Sequence, residues 1–198
     1  MSNTEHMVSN VQNRRLNTDR RVERTSIALQ RAMIELVKEH GYDYVEVQHI
    51  TERANIGRST FYTHFKNKED VLLRSLDGLH EAMRNAWLQQ LRESGARLGQ
   101  GRFVMPFITH FGEAVDLWRA FATGDGAEIV TRKLRVIFTE LFREDLGIDQ
   151  NSPLEEQAII QLHVGALLAL VVWWLDLGAT ISPEAVYKAY ADTLGYAP

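Results

Sequence analysis

The sequence predicts an all-helical protein, and three observations carry that prediction. The 198 residues include only four prolines, which permits long unbroken helices because proline is the strongest helix breaker. Apolar residues recur at three- and four-residue spacing along most of the chain, the period of one helix face. No stretch alternates apolar and polar residues in the manner of a strand. With 45% hydrophobic and 24% charged residues, the chain fits one compact unit or a small domain joined to a larger one.

Taken in order, residues 1–19 are polar and asparagine-rich and read as a flexible arm. A first helix begins near Arg20. Ile27, Leu29, Ala32, Met33, Leu36 and Val37 form its apolar face, and Gly41 closes it. Two short helices follow, Val47–Ala54 and Arg58–Phe65. The turn between them is Asn55-Ile56-Gly57, and asparagine is among the few residues that tolerate a positive φ. A fourth helix opens on Asn67 as N-cap, with Glu69 and Asp70 in its first turn, and runs to about Arg92. The Gly-rich segment Ser94–Gly101 is the clearest break. Helices are then expected over Arg102–Ala122, Gly126–Leu146, Pro153–Leu177 and Pro183–Leu194, with Ser152 and Ser182 as N-caps and each proline at the first helical position. The organisation expected is an arm (1–19), a three-helix head (20–66), a connecting helix (67–93) and a C-terminal body (94–198).

Composition removes several functions. The chain has no cysteine, which excludes disulfides, thiolate zinc sites, iron–sulfur clusters and thiol redox sensing. The first fifteen residues lack the apolar core of a secretory signal. The longest apolar run, Val164–Leu175, is shorter than the roughly 20 residues that cross a bilayer, so a soluble, cytoplasmic protein without a membrane partner is expected. His80-Glu81 is not followed by a second histidine at metalloprotease spacing. A phosphate loop, a nucleophile elbow and the kinase motifs are also missing. No catalytic residue, cofactor or metal is therefore expected, and no enzyme.

The net charge of −4 hides an asymmetry. Residues 1–74 carry twelve Lys/Arg against ten Asp/Glu, whereas the remainder carries ten against sixteen. A basic N-terminal third joined to an acidic body is one footprint of a DNA-binding segment.

Two short helices across a three-residue turn, preceded by a longer packing helix, make a helix-turn-helix. Ala28, Ala32, Leu36, Val47, Ile50, Ala54, Ile56, Phe61 and Phe65 supply its core. The second short helix then exposes Arg58, Ser59, Thr60, Tyr62, Thr63 and His64, a hydrogen-bonding face without an acid to repel phosphate. The major groove admits one such helix, where Arg58 can pair with guanine or phosphate. Arg20 and Arg24, at the start of the first helix, are candidates for further backbone contact, as in homeodomain arms, whereas Arg14 and Arg15 read as solvated tail.

The stretch Thr60-Phe61-Tyr62-Thr63-His64-Phe65-Lys66-Asn67-Lys68-Glu69, with Gly41, Ile50, Ala54, Arg58 and Leu72 around it, resembles the tetracycline-repressor family of transcriptional regulators. The resemblance implies an all-helical homodimer that binds a palindromic double-stranded DNA operator as a repressor. It also implies that Arg58, Ser59, Thr60, Tyr62, Thr63 and His64 read DNA, with Lys68 and Gln48 touching its backbone. Three departures stand out. Val45-Glu46 replaces two small hydroxyl residues, Asn55 replaces the usual turn glycine, and Gly57 replaces a serine cap at a cost of only a few tenths of a kcal/mol.

The body carries no motif of like specificity. Phe103, Phe107 and Phe111 fall four apart, with His110 beside them, Trp118 beyond and His163 on a later helix. They read either as ordinary core or as the lining of a pocket for a small apolar or aromatic effector, which the resemblance permits. Val164–Leu175 is apolar on all sides and so is expected to be buried all round. Ala166, Ala169, Leu170, Trp173, Trp174 and Tyr187 are the candidates for a dimer interface built from the last two helices. Two other readings share these features: a helical ligand-binding protein whose head contacts protein, and a transcriptional activator with the same head.

Overall fold

The computed structural model describes the backbone of residues 2–95, 98–99, 101–122 and 124–195, and side chains from Arg20 onward. Among these residues the chain forms nine helices and no strand. The head holds α1 (Ser2–His40), α2 (Val47–Ala54) and α3 (Arg58–His64). The link is α4 (Lys68–Ser94), and the body holds α5 (Val104–Glu113), α6 (Val115–Phe121), α7 (Asp125–Leu146), α8 (Leu154–Asp176) and α9 (Pro183–Leu194). The flexible arm expected over residues 1–19 is corrected here: the first helix does not begin near Arg20 but runs unbroken from Ser2, since the polar segment before Arg20 holds no proline or glycine to stop it; its side chains, Arg14 and Arg15 included, lie outside the described residues.

The head folds around Leu29, Met33, Val37, Ile50 and Phe61, all fully buried. Their spacing along α1 gives the inward face. Gly41 ends that helix with φ 81°, and its N–H donates to the Val37 carbonyl at 2.8 Å. Asn55 adopts the left-handed conformation expected of it (φ 53°). Asn67 caps α4 by accepting the Asp70 N–H at 2.8 Å.

The body core is aromatic. Phe103 lies between Trp87 and Phe142, with ring centroids 5.4 and 4.8 Å away, and Phe107 meets Phe138 edge-on at 5.3 Å. Asp145, buried at the end of α7, ties down the loop before α5 by accepting the N–H groups of Gly99 and Gly101 at 3.0 and 2.9 Å.

Three further expectations are corrected here. Arg102–Ala122 is two helices, because Ala114 leaves helical geometry (φ −98°, ψ 15°) between α5, which packs on α9 and α8, and α6, which packs on α1. Pro153 is the N-cap of α8 and not its first helical residue, and the Ser152 hydroxyl instead accepts the Asp149 N–H. Val164–Leu175 is not buried all round. Ile160, Val164, Leu167, Leu168, Val171, Trp174 and Leu175 pack inward, but Leu162 is 68% and Trp173 49% exposed. The twelve-residue run also understates the length of this helix. Gln161 and His163 stand just before the run without adding charge, and α8 as a whole is long and apolar enough to cross a membrane by length and composition. In this fold its inward face is core.

The link and the head are each held to the body. Along the link, Glu69 pairs with Arg132 (3.0 Å), Asp77 with Lys133, and Arg84 with Glu144 (2.6 Å), all between α4 and α7. Beside it, the Tyr42 N–H donates to the Ala120 carbonyl at the end of α6 (3.3 Å), and the Tyr42 ring lies 6.0 Å from that of Phe121. Gly126 allows this approach: a Cβ there would stand 2.9 Å from the Tyr42 Cβ.

Candidate nucleic-acid interface and body cavity

Phe61 and Phe65 bury the inward face of the third helix and its cap. This leaves Arg58, Ser59, Thr60, Tyr62 and Thr63 exposed and His64 half-buried. Tyr62 stands on the edge of the Phe61 ring, 5.3 Å between centroids, which fixes its direction. Thr63 returns its hydroxyl proton to the Thr60 carbonyl at 2.6 Å. Gln48, Glu52, Asn55 and Arg58 line a shallow groove of about 490 Å³ between α2 and α3. The Gln48 amide donates to Glu52 at 2.8 Å, so its nitrogen faces along α2.

Lys68 sits apart from this face. Its ammonium donates to the carbonyls of Tyr42 and Asp43 at 3.1 and 3.4 Å and lies 4.4 Å from the centre of the Tyr42 ring. A phosphate contact would require it to leave these partners. Burial, then the carboxylates of Glu69, Asp43 and Asp125, push the Tyr42 hydroxyl up to about 12, so the ring under Lys68 is a neutral phenol at physiological pH.

Sequence reasoning missed an aromatic group beside α2. Tyr44 is 55% exposed and stacks on His49, 4.8 Å between centroids and 10° between planes, with His40 at 4.7 Å on its other side. His49 Nδ1 accepts the Glu46 N–H at 3.2 Å, which caps α2 and fixes the imidazole. Neither helical period nor spacing signals this group, because it joins a turn to two helices. Arg20 and Arg24 are exposed on α1.

Between the link and the body lies a small, partly open cavity of about 70 Å³, walled by Leu76 of α4 and by His110, Phe111, Leu117, Trp118 and Phe121 among others. Three of the six residues expected at a pocket, His110, Phe111 and Trp118, are there. Phe103 and Phe107 are not, because they are locked in the aromatic core. Nor is His163, which stacks on Phe142 (5.2 Å) with Nδ1 3.3 Å from the Tyr190 hydroxyl. Burial lowers the pKa of both His110 and His163, which makes each a neutral hydrogen-bonding group. Among the described residues, no cluster of His, Asp and Glu could hold a metal ion.

Of the dimer candidates, Ala166 and Leu170 are half-buried and Ala169 and Trp173 exposed, on the open side of α8. Trp174 is not on that side. It is fully buried, its indole N–H donates to the Ile181 carbonyl at 2.9 Å, and its ring packs on Gly112. Tyr187 faces a different groove, between α9 and α5, with Arg102, Met105 and Pro106.

Comparison with known proteins agrees with this geometry. Residues 31–74 match the family described as bacterial regulatory proteins, tetR family. The chain is 46% identical over 55 residues to an uncharacterized HTH-type transcriptional regulator, YxbF, of Bacillus subtilis (strain 168); the match covers 27% of this chain and only 14% of the relative. The fold is similar to that of a TetR transcriptional regulator from Streptococcus agalactiae 2603V (TM-score 0.61, 22% identity, 90% of this chain and 98% of that one). It is also similar to the dihydroxyacetone kinase operon activator DhaS (TM-score 0.61, 18% identity, 86% and 93%). The head thus matches the tetR family of bacterial regulatory proteins over residues 31–74, the chain spans well under a third of the length of the curated relatives it matches, and the described chain as a whole shares the fold of these solved structures.

Proposed function

We propose that the protein is a DNA-binding transcriptional regulator of the bacterial cytoplasm, most simply a repressor, that binds a palindromic operator as a homodimer and responds to a small effector. The observation that carries this reading is the α3 face: five exposed polar side chains with no acid, set on a helix whose other side is fixed by two buried phenylalanines. Such a helix fits the major groove, where Arg58 can bond guanine or phosphate and Tyr62 and Thr63 can reach the backbone. Homodimerisation is supported by the open side of α8, where Leu162, Ala166, Ala169 and Trp173 follow one helical stripe. A two-fold dimer places its recognition helices about 34–36 Å apart, one turn of duplex.

Selection from a pool of random duplexes at physiological salt tests the reading. One inverted-repeat site is the expected product; retention without any sequence preference overturns it. Arg58→Ala is expected to weaken binding to the selected site by about 1–3 kcal/mol and to relax specificity at the base it reads. Tyr62→Ala is expected to weaken binding with the dimer still folded.

Activation is the second reading, favoured by the likeness to DhaS, whose name is that of an operon activator. A promoter reporter in cells with and without the gene separates the two by the sign of the change.

A further inference from the structure

The chain leaves α3 through Phe65, whose backbone is extended (φ −136°, ψ 148°), and only Lys66 and Asn67 separate it from α4. This turn is fixed at its backbone. The Lys66 N–H donates to Asp70 Oδ2 at 2.9 Å, and Asp70 Oδ1 accepts from Arg74 Nε at 3.1 Å. The Arg74 guanidinium in turn lies 5.2 Å from the centre of the buried Phe65 ring. The turn is thereby joined to the core of the head. The Lys66 side chain makes none of these bonds and is exposed.

The acids nearest to it in the chain are both committed elsewhere. Asp70 serves the turn and Arg74, and Glu69 pairs with Arg132 of α7 at 3.0 Å. Among the described residues Lys66 takes part in no ion pair. Lys68, two residues on, is the opposite case: it would have to give up two carbonyls and the Tyr42 ring to reach a phosphate. A solvated ammonium gives up only water, and the duplex releases a counterion in exchange. Position favours Lys66 as well. With seven residues α3 is about 10 Å long, and the major groove is about 12 Å wide. With the helix seated there, the turn at its end lies at the wall of the groove, where the phosphates are.

We propose that Lys66 makes the phosphate contact that follows α3, and that Lys68, on which the family resemblance places that contact, serves instead to hold α4 against the turn after the first helix. The proposal rests on the reading of α3 as the DNA-binding face. It divides two lysines of one short stretch between binding and folding, according to which of them the fold has already engaged.

The test is the salt dependence of binding by the purified full chain, from about 50 to 200 mM salt. The probes are a random-sequence duplex and the site recovered by selection. Lys66→Gln is expected to make the slope of log K against log salt shallower by about 0.9 for each head engaged. It is expected to do so on both duplexes and to leave the preference between them unchanged, because phosphates carry no sequence. Lys66→Arg, which keeps the charge, restores the slope. Both substitutions alter an exposed side chain and keep the backbone bond to Asp70, so they report binding and not folding. Lys68→Gln is expected to lower the urea midpoint and keep the wild-type slope. An unchanged slope in Lys66→Gln, a loss confined to the selected site, or a shallower slope in Lys68→Gln overturns the proposal. Wild-type protein that binds neither duplex at the lowest salt overturns the DNA-binding reading and this proposal together. Wild-type protein that binds both duplexes equally overturns sequence-specific recognition alone, and the slopes on the random duplex still decide between the two lysines.

Discussion

Lys68 follows the end of α3 by four residues, yet its ammonium is committed to two carbonyls and an aromatic face just after the first helix. Its partners are more than twenty residues away in the chain, and no local pattern announces them. Lys68→Met is therefore expected to destabilise the protein by about 1–2 kcal/mol, the worth of a charge-assisted hydrogen bond in a half-buried place, as measured by urea unfolding. Unchanged stability would return Lys68 to solvent and to phosphate. The α3 face, by contrast, was legible residue by residue. Burying Phe61 and Phe65 requires Arg58, Ser59, Thr60, Tyr62 and Thr63 to face outward, and helical geometry alone dictates that. The stack of Tyr44 on His49 was not legible, for the same reason as Lys68: its members come together only through tertiary folding.

Among the elements, starts and stops written in capping residues were readable, as Gly41, Asn55, Asn67 and Ser182 demonstrate. The break at Ala114 was not, because it answers to where α5 and α6 must pack and not to a breaker residue. Neighbouring tryptophans teach the same lesson. Trp173 and Trp174 lie about 100° apart around one helix, so a shared apolar character sent one outward and the other into the core. Gly112 is the counterpart of that core tryptophan. A Cβ at this position would lie 2.6 Å from Trp174 Cη2, so Gly112→Ala is expected to cost about 1–3 kcal/mol through overpacking, seen as a lower melting temperature. Gly78 on α4, where an added methyl would meet nothing within 4 Å, is the matched control: Gly78→Ala is expected to stabilise by about 0.4–1 kcal/mol.

For the molecule as a whole, the all-helical architecture was legible from periodicity, whereas the division of aromatic residues between core and cavity depended on packing. Two predictions belong at this scale. His110 and His163 have pKa values lowered by burial, so the unfolded chain binds protons more readily than the folded one. Their contribution is complete above the unfolded histidine pKa, near 6.5, and declines as pH falls through it. Thermal unfolding between pH 8 and pH 5 is expected to show a falling midpoint, with a shallower fall in His163→Gln. The open side of α8 predicts that Leu162→Asp yields a monomer in sedimentation without loss of helicity; a persistent dimer would move the interface elsewhere. Finally, the two seams that join the rest of the molecule to the body differ in kind: the link meets α7 through three ion pairs, whereas the residues after the first helix meet α6 through a backbone hydrogen bond and the buried Tyr42 and Phe121 rings. Dissolved salt screens the first seam and leaves the second almost untouched. Ionic strength is therefore a dial that loosens the molecule along α4 while the hinge beside α6 stays closed.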